Sequence, residues 1–377
     1  MFSNLKEKAD HPHEYAKEWK EKTGGKVIGY FCTYAPEEVM YAAGILPVRI
    51  MGGKEPQIAS LSEPHIFGMF CPWCRNCLGQ GLAGRYAYLD GIVEAHSCLH
   101  LRQSFGSWKL HIPVDFAHYL VMPHAVQSPH AYTLLFKELE NFKNKLEEWT
   151  GKTITEDDLN AAIEVYDTNR QLMKQIYETR RQEIPLISGQ EAMHMVLASQ
   201  VMDKKEQNEE LKKIIAALPN RLPAKEREGI RLMHIGSEQN DTDFVGMVES
   251  LNAVVVIDDH CGGTRYFWNT TPAEGSALDR IARRYVDRPR CPSKDWPKRD
   301  RLTYIRQLAQ AYNIQGALLI QQKFCDPHEA DMPVIGQMFK EMGIPTYPLE
   351  LDVTVPYGQF KIRLEAFIEM IQQDLLF

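Results

Sequence analysis

The chain has 377 residues, which at about 150 residues per domain predicts two or three domains. Hydrophobic residues make up 44% and charged residues 25%, and this ordinary composition excludes collagen-like, low-complexity and wholly disordered chains. The formal net charge of -7 provides no basic footprint for a nucleic-acid backbone, so we expect no nucleic-acid partner.

The first 25 residues are charged and amphipathic, which predicts a surface helix and not a signal peptide. The longest apolar stretches, such as 253–257 and 316–320, are much shorter than the roughly 20 residues of a membrane helix. We therefore expect a soluble, cytoplasmic protein without a membrane partner. Thiols stay reduced in that compartment, so the eight cysteines are expected to bind metal and not to form disulfides.

Short apolar runs alternate with helical segments between residues 26 and 130. A helix predicted at 35–43 begins near Pro36 and ends at Gly44. The alternation predicts a first parallel α/β domain. Its predicted strands are 26–32, 45–51, 91–96 and 117–122.

A helical section follows at 131–225, where Glu, Lys and Leu dominate and apolar residues recur at helical spacing. A second α/β domain is predicted at 226–377. Its predicted strands are 230–235, 253–257, 316–321 and 346–351, and its predicted helices are 242–251, 300–312, 331–342 and 359–373. The predicted fold class is α/β, with two Rossmann-like (flavodoxin-like) parallel-sheet domains, a helical N-terminus at 1–25 and a helical middle section.

Most of the cysteines lie at positions where they could bind a ligand. Four follow predicted strands, at the sheet edge where open α/β folds bind ligands: Cys32, Cys98, Cys261 and Cys325. Cys71, Cys74 and Cys77 form a C-x2-C-x2-C run, which lets two or three thiolates face one metal centre. The ferredoxin pattern would place a fourth cysteine at Gly81, so further ligands must come from a distance.

Two other interpretations of the cysteines stay open. Structural zinc is disfavoured because a zinc ribbon needs a second C-x2-C pair, and the downstream cysteines stand alone. Free buried thiols are the other interpretation, which suits Cys291 best and Cys261 next.

Candidates for acid–base chemistry are His260, after an apolar strand, and Glu329 and Asp331, after Cys325. Residues at such places also commonly cap helices or complement the helix dipole. The chain lacks a P-loop, because Leu146 stands where the first glycine would precede Gly151, and it lacks a dinucleotide-binding glycine motif. We therefore expect no ATP hydrolysis by this chain.

Five stretches, in order along nearly the whole chain, resemble the 2-hydroxyacyl-CoA dehydratase D-component family. They are GYFCTYAPEEVMYAAGILPVRI, CPWCRNCLGQGL through AHSCLHLRQSF, VVVIDDHCGGTRYFW, QQKFCDPHEADMP and GIPTYPLELDVTVPYGQFKIRLEAFIEMI. The resemblance implies two Rossmann-like domains with an iron–sulfur cluster between them, in a heterodimer with a homologous larger catalytic subunit. It also implies an ATP-hydrolysing activator with its own 4Fe-4S cluster, and ferredoxin as the upstream electron donor.

The resemblance further implies that Cys71, Cys98 and Cys325 hold a 4Fe-4S cluster with one iron open to a non-protein ligand. The additional thiols of Cys32, Cys74 and Cys77 would be enough for two three-cysteine cubanes. An 8Fe-9S double cubane, as in a related branch of the family, is therefore the alternative cofactor.

Within the family, the chain is most similar to the smaller of the two catalytic subunits of ATP-dependent benzoyl-CoA reductases. The implied function is delivery of low-potential electrons for reduction of benzoyl-CoA to cyclohexa-1,5-diene-1-carbonyl-CoA, with His260, Glu329 and Asp331 as candidate proton donors. One alternative is a subunit of a 2-hydroxyacyl-CoA dehydratase, which eliminates water from its acyl-CoA substrate. A second is a non-catalytic scaffold that holds iron–sulfur or zinc.

Overall fold

Two parallel four-stranded sheets organise the computed structural model, which describes residues 1–222, 227–353 and 355–374. The first sheet contains β1 (Val27–Tyr30), β2 (Leu46–Arg49), β3 (Gly91–Ala95) and β4 (Phe116–Leu120). The second contains β5 (Ile230–Gly236), β6 (Ala253–Asp259), β7 (Gly316–Gln322) and β8 (Thr346–Leu351). The predicted α/β fold class with two parallel sheets is thus confirmed, and each predicted strand matches an observed one within two residues.

Both sheets have the same strand order. The order is β2-β1-β3-β4 in the first sheet and β6-β5-β7-β8 in the second. In each sheet the second strand along the chain lies on one side of the first, and the third strand lies on the other side. The strand order therefore reverses between β1 and β3 and between β5 and β7. Ligands of open α/β sheets bind at such a switch point, beyond the carboxyl ends of the strands.

Burial explains why short apolar runs were sufficient to locate the strands. All residues of β1 and β6 are buried, as expected for parallel strands that are covered on both faces. Pro47 and Pro348 lie in β2 and β8, which are edge strands, where a missing backbone N–H costs no central ladder hydrogen bond.

Helices surround the sheets. The first six are α1 (Ser3–Asp10), α2 (Pro12–Thr23), α3 (Glu37–Ala42), α4 (Pro56–Ser60), α5 (Pro72–Leu82) and α6 (Leu99–His111). The middle section contains α7 (Ala131–Thr150), α8 (Glu156–Glu178), α9 (Gly189–Ser199) and α10 (Lys204–Ala217). The remaining six are α11 (Thr242–Glu249), α12 (Thr264–Phe267), α13 (Ala277–Asp287), α14 (Asp300–Ala311), α15 (Asp326–Glu341) and α16 (Tyr357–Asp374).

The predicted helical N-terminus is confirmed, but as two helices, with Pro12 in the first turn of the second. The prediction that a helix begins at 331 was wrong, because α15 begins at Asp326 and contains Pro333 within it. A proline near the start of a helix is well tolerated, and with Pro327 as its second residue the helix begins five residues before the expected start. None of the described helices is long and apolar enough to cross a membrane.

Candidate metal centre

Seven cysteine side chains line one cavity at the carboxyl ends of the strands of both sheets. The cavity has a volume of about 600 Å³, including the space at its opening. The cysteines are Cys32, Cys71, Cys74, Cys98, Cys261, Cys291 and Cys325. All four cysteines that were predicted to follow strands therefore meet at one place.

Cys71, Cys74 and Cys98 form a first group of thiols. The Sγ atoms of Cys71 and Cys74 and a ring nitrogen of His100 lie within 4.8 Å of one another, and the backbone N–H of Cys71 donates to His100 Nδ1 at 3.2 Å. A hydrogen bond from the Cys74 thiol lowers the pKa of Cys71 to about 6 and also lowers the pKa of Cys98. Because the thiolate is the form that binds metal, this group is suited to a metal ligand role.

Helix α5 holds Cys71 and Cys74 in place. Cys71 is the N-cap residue, and Pro72 occupies the first helical position, where its missing N–H costs nothing. Gly79 lets the helix pack closely on α4, because a Cβ atom at Gly79 would lie 2.0 Å from the carbonyl oxygen of Ile58. A side chain there would displace α5 and the cysteines at its start.

Cys98 and Cys325 occupy equivalent places in the two sheets. Each lies three residues beyond the end of its strand, β3 or β7, and each is the N-cap residue of the next helix, α6 or α15. The backbone N–H of Leu101 donates to Cys98 Sγ at 3.5 Å. The positive end of the helix dipole favours a thiolate at a helix start, and the pKa of Cys98 is lowered, but burial outweighs this effect at Cys325 and raises its pKa well above the usual value.

Cys32, Cys261 and Cys291 form a second group. Burial raises the pKa of the Cys32 thiol, and it raises that of Cys261 to about 12. The hydroxyl of Ser293 donates to Cys291 Sγ at 3.4 Å. These thiols would release their protons when they bind a metal, as ligands must.

Buried ionisable groups accompany the thiols. Glu238 lines the cavity and pairs with Arg49, and the Arg49 guanidinium also donates to the carbonyl oxygen of Cys261 at 3.4 Å. Glu94 is fully buried, and burial raises its pKa well above the usual value, so its carboxyl is neutral. Burial lowers the pKa of Lys294 to about 8, so this side chain remains mostly protonated at pH 7.

The structure does not bring Cys77 to the cavity. Its side chain is 0% exposed, and Cys77 Sγ donates to the carbonyl oxygen of Ile50 at 3.8 Å. Cys77 therefore has a backbone partner of its own, apart from the other cysteines of the C-x2-C-x2-C run.

The three candidate proton donors lie in different surroundings, and none lines the cavity. His260 is 1% exposed, and burial lowers its pKa to about 3. Glu329 is exposed in the first turn of α15. Asp331 is buried and paired with Arg299 and Arg301. The structure does not gather these residues into one site, and a proton-donor role for them stays a prediction.

Sequence reasoning did not single out Glu238, a charged residue of the cavity wall, whereas His328 belongs to the group of acid–base candidates after Cys325. Glu238 lies two residues beyond β5, at a strand end without cysteine, and only the register of the second sheet reveals it. His328 lies three residues after Cys325, in the first turn of α15. The structure also places Cys261 and Cys291, which were considered as free thiols, on the wall beside the predicted ligands.

A family model described as 2-hydroxyglutaryl-CoA dehydratase, D-component, matches residues 32–371. The chain belongs to this family. The family match includes all seven cysteines of the cavity, and it agrees with the resemblance found in the sequence.

Three relatives of this D-component chain are named as subunits of acyl-CoA dehydratases or of an acyl-CoA reductase. It is 27% identical to the (R)-phenyllactyl-CoA dehydratase beta subunit of Clostridium sporogenes, over 98% of each chain. It is 26% identical to a benzoyl-CoA reductase subunit of Thauera aromatica, over 88% of this chain and 86% of that one. It is 25% identical to the beta subunit of (R)-2-hydroxyglutaryl-CoA dehydratase of Acidaminococcus fermentans, over 92% and 93%. These relatives are enzyme subunits, and so an enzyme-subunit role is supported for this D-component chain.

The donor set of the cavity fits an iron–sulfur cluster. Cysteine thiolates are the usual protein ligands of such clusters, and this cavity presents seven cysteines. A zinc site needs only four ligands, and the group of Cys71, Cys74 and His100 would supply three of them. The remaining thiols exceed what one zinc ion can use.

Proposed function

We propose that this chain is the iron–sulfur subunit of an ATP-dependent benzoyl-CoA reductase, and that it delivers low-potential electrons for reduction of the aromatic ring of benzoyl-CoA to cyclohexa-1,5-diene-1-carbonyl-CoA. The observation that carries the proposal is the convergence of seven cysteines on one cavity in a D-component chain. The similarity to the benzoyl-CoA reductase subunit of Thauera aromatica supports the choice of reaction.

Cys71, Cys98 and Cys325 are the proposed ligands of a 4Fe-4S cluster. Cys98 and Cys325 come from equivalent helix starts in the two sheets, and Cys71 has a lowered pKa. Three protein thiolates leave one iron free for another ligand. A cluster bound there supplies electrons at low potential, because sulfur-rich ligation and exclusion of water both favour low potentials.

The second thiol group is the proposed site of another cubane, which would make the cofactor an 8Fe-9S double cubane. The sequence prediction used Cys32, Cys74 and Cys77 for this purpose. Cys261 and Cys291 are better placed than Cys77, because they line the cavity with Cys32 whereas Cys77 bonds to a backbone carbonyl. Cys74 would then support the first group by its hydrogen bonds to Cys71 and Cys98.

The proposed partners are a homologous larger subunit, which would share the acyl-CoA substrate site, and an ATP-hydrolysing activator that receives electrons from ferredoxin. An apolar surface next to the cysteines in sequence supports a partner. Phe67 and Met69, just before Cys71, are 65% and 56% exposed, and Leu99, just after Cys98, is 54% exposed. Exposed apolar patches of this kind commonly mark protein interfaces.

A second candidate function is that of a 2-hydroxyacyl-CoA dehydratase subunit. Two of the three relatives named above are dehydratase subunits, and the phenyllactyl-CoA dehydratase subunit matches 98% of this chain. The two reactions differ in their electron balance. Reduction of the ring consumes two electrons in every turnover, whereas elimination of water returns its electron.

The first experiment is iron and acid-labile sulfide analysis with EPR on the anaerobically purified chain, co-expressed with its partner subunits. About eight iron atoms per chain would support the double cubane and about four the single cluster. A colourless protein that contains zinc would overturn the proposal in favour of a zinc-stabilised scaffold. Turnover with benzoyl-CoA and with 2-hydroxyacyl-CoA thioesters, at a measured electron supply, then separates the two reactions.

A further inference from the structure

Lys294 connects the cysteine-bearing loop of the second half of the chain to the first sheet. It ends the short 3-10 turn Pro292–Lys294 that follows Cys291. Its Nζ donates to the carbonyl oxygen of His96 at 2.7 Å and to that of Pro123 at 3.1 Å. Both acceptors lie just beyond the strands β3 and β4, at the edge of the sheet that faces the cavity.

This lysine is a buried cation without a carboxylate partner. Its residue is 0% exposed, and no ion pair joins its ammonium group to an Asp or Glu within the described ranges 1–222, 227–353 and 355–374. Carbonyl oxygens satisfy its hydrogen bonds, but they do not neutralise its charge. An unpaired buried charge is costly, so a positive charge at this place calls for a negative one nearby.

The buried acid Glu94 does not form an ion pair with Lys294. Glu94 is 0% exposed, and in the described part of the chain neither of its carboxylate oxygens has a hydrogen-bond partner. Burial keeps it neutral. The groups whose ionised forms act on the Lys294 ammonium are, in order, Cys32, Cys291, Glu94 and Cys98, and three of these four are cysteines of the cavity.

We propose that Lys294 is the buried counter-charge of the cluster in this cavity and that it raises the reduction potential of that cluster. This inference rests on the proposed function, because a bound cluster with its thiolate ligands would supply the negative charge that pairs with Lys294. A cation close to a cluster stabilises the reduced state, which carries one more negative charge, and the low dielectric of the interior strengthens the effect.

The test separates the charge of Lys294 from its role in holding the loop. Lys294→Gln keeps a hydrogen-bond donor and removes the charge, Lys294→Met removes both, and Lys294→Arg keeps the charge. The matched control is Lys20→Met, since Lys20 Nζ also makes two bonds of 2.8 Å, to the Tyr88 carbonyl and to Asp90, but at the opposite end of the first sheet. Each variant is purified anaerobically in its complex and assayed for iron and for midpoint potential by EPR-monitored redox titration.

We expect full iron content and a more negative potential in Lys294→Gln and Lys294→Met. At a fixed applied potential the ratio of reduced to oxidised cluster should fall about tenfold, which corresponds to about 59 mV for a one-electron couple. Lys294→Arg and Lys20→Met should keep the wild-type potential.

A wild-type potential in an iron-loaded Lys294→Gln variant would overturn the inference and leave the proposed function intact. Loss of iron in Lys294→Met together with an unchanged potential in Lys294→Gln would also overturn the inference, because Lys294 would then only hold the loop in place. If Lys294→Gln and Lys294→Met do not fold, the potential of Lys294→Arg is compared with that of Lys20→Met. A shift from the wild-type potential that is no larger in Lys294→Arg than in Lys20→Met supports the inference. A larger shift in Lys294→Arg overturns it. Absence of iron from the wild-type complex would instead overturn the proposed function.

Discussion

Arg49, the last residue of β2, forms an ion pair with Glu238, which lies just beyond β5 in the other sheet. The Arg49 side chain is 1% exposed and that of Glu238 is 18% exposed. Arg49 also donates to the side-chain oxygen of Gln200 at 2.9 Å. The pair therefore joins the two sheets at the wall of the cavity.

Replacing Glu238 with Gln should destabilise the protein by about 3 kcal/mol, because it leaves the buried guanidinium of Arg49 without its counter-charge. Chemical denaturation measures the change. The control is Lys145→Gln, which breaks the exposed pair with Glu148 and should cost less than about 1 kcal/mol. Equal losses in the two variants would show that the pair between the sheets contributes no more than a surface pair.

Replacing Cys325 with Ala should remove the cubane at Cys71, Cys98 and Cys325, about four iron atoms per chain, because the variant leaves that cluster with too few ligands. Cys77→Ala is the matched control, since this cysteine is buried but lies outside the cavity. It should keep its iron, and the measurement is iron per chain after anaerobic purification. Loss of iron in Cys77→Ala with retention in Cys325→Ala would mean that the ligand set has been assigned incorrectly.

Replacing Cys291 with Ala should reduce the iron content by about half, from about eight atoms to about four, if each thiol group holds one cubane. The sequence alone suggested that this cysteine is a free thiol, for which the same change would have little effect. EPR of the variant should retain the signal of the cluster at Cys71, Cys98 and Cys325. An unchanged iron content would show that Cys291 is not a ligand of the cofactor.

Stability at low pH should depend on Glu38, which is 0% exposed and paired with Arg170. Burial opposes ionisation, but Arg170 and Arg284 outweigh it and lower the Glu38 pKa from 4.5 to about 2. Because the pKa is lower in the folded state, the carboxylate contributes its full stability above the unfolded-state pKa and loses it as the pH falls toward 2. The contribution is on the order of 3 kcal/mol.

Urea denaturation between pH 5 and pH 3 should therefore show a steeper loss of unfolding free energy in the wild type than in Glu38→Gln. The Gln variant is already less stable at pH 7. The unfolding free energy of each protein at low pH is therefore compared with its own value at pH 7. Parallel curves for the two proteins would contradict the assignment of this acid sensitivity to Glu38.

The strand ends were accessible to sequence analysis, and the exact ligand geometry was not. Parallel strands are buried on both faces, so they leave continuous apolar runs, and Cys32, Cys98, Cys261 and Cys325 could be placed after them. Cys291 gave no such signal, because it lies on a short turn between α13 and α14 and reaches the cavity only through the tertiary fold.

Cys77 shows how local geometry corrects a spacing argument. Cys74 and Cys77 lie in α5, and Cys71 caps it. At 3.6 residues per turn, a residue six positions along a helix lies about 120° around the axis from the first. The last cysteine of the run therefore cannot share the direction of the first. The spacing could have predicted this once the helix was known to begin at Pro72.

The common strand order of the two sheets, with Cys98 and Cys325 at matching helix starts, is the arrangement expected of an ancestral gene that was duplicated and fused. The cavity therefore takes its thiols from two sheets of the same topology, much as a site between the two subunits of a symmetric dimer takes its ligands from both. Cys261 and Cys291, which belong to the second half alone, make this site asymmetric.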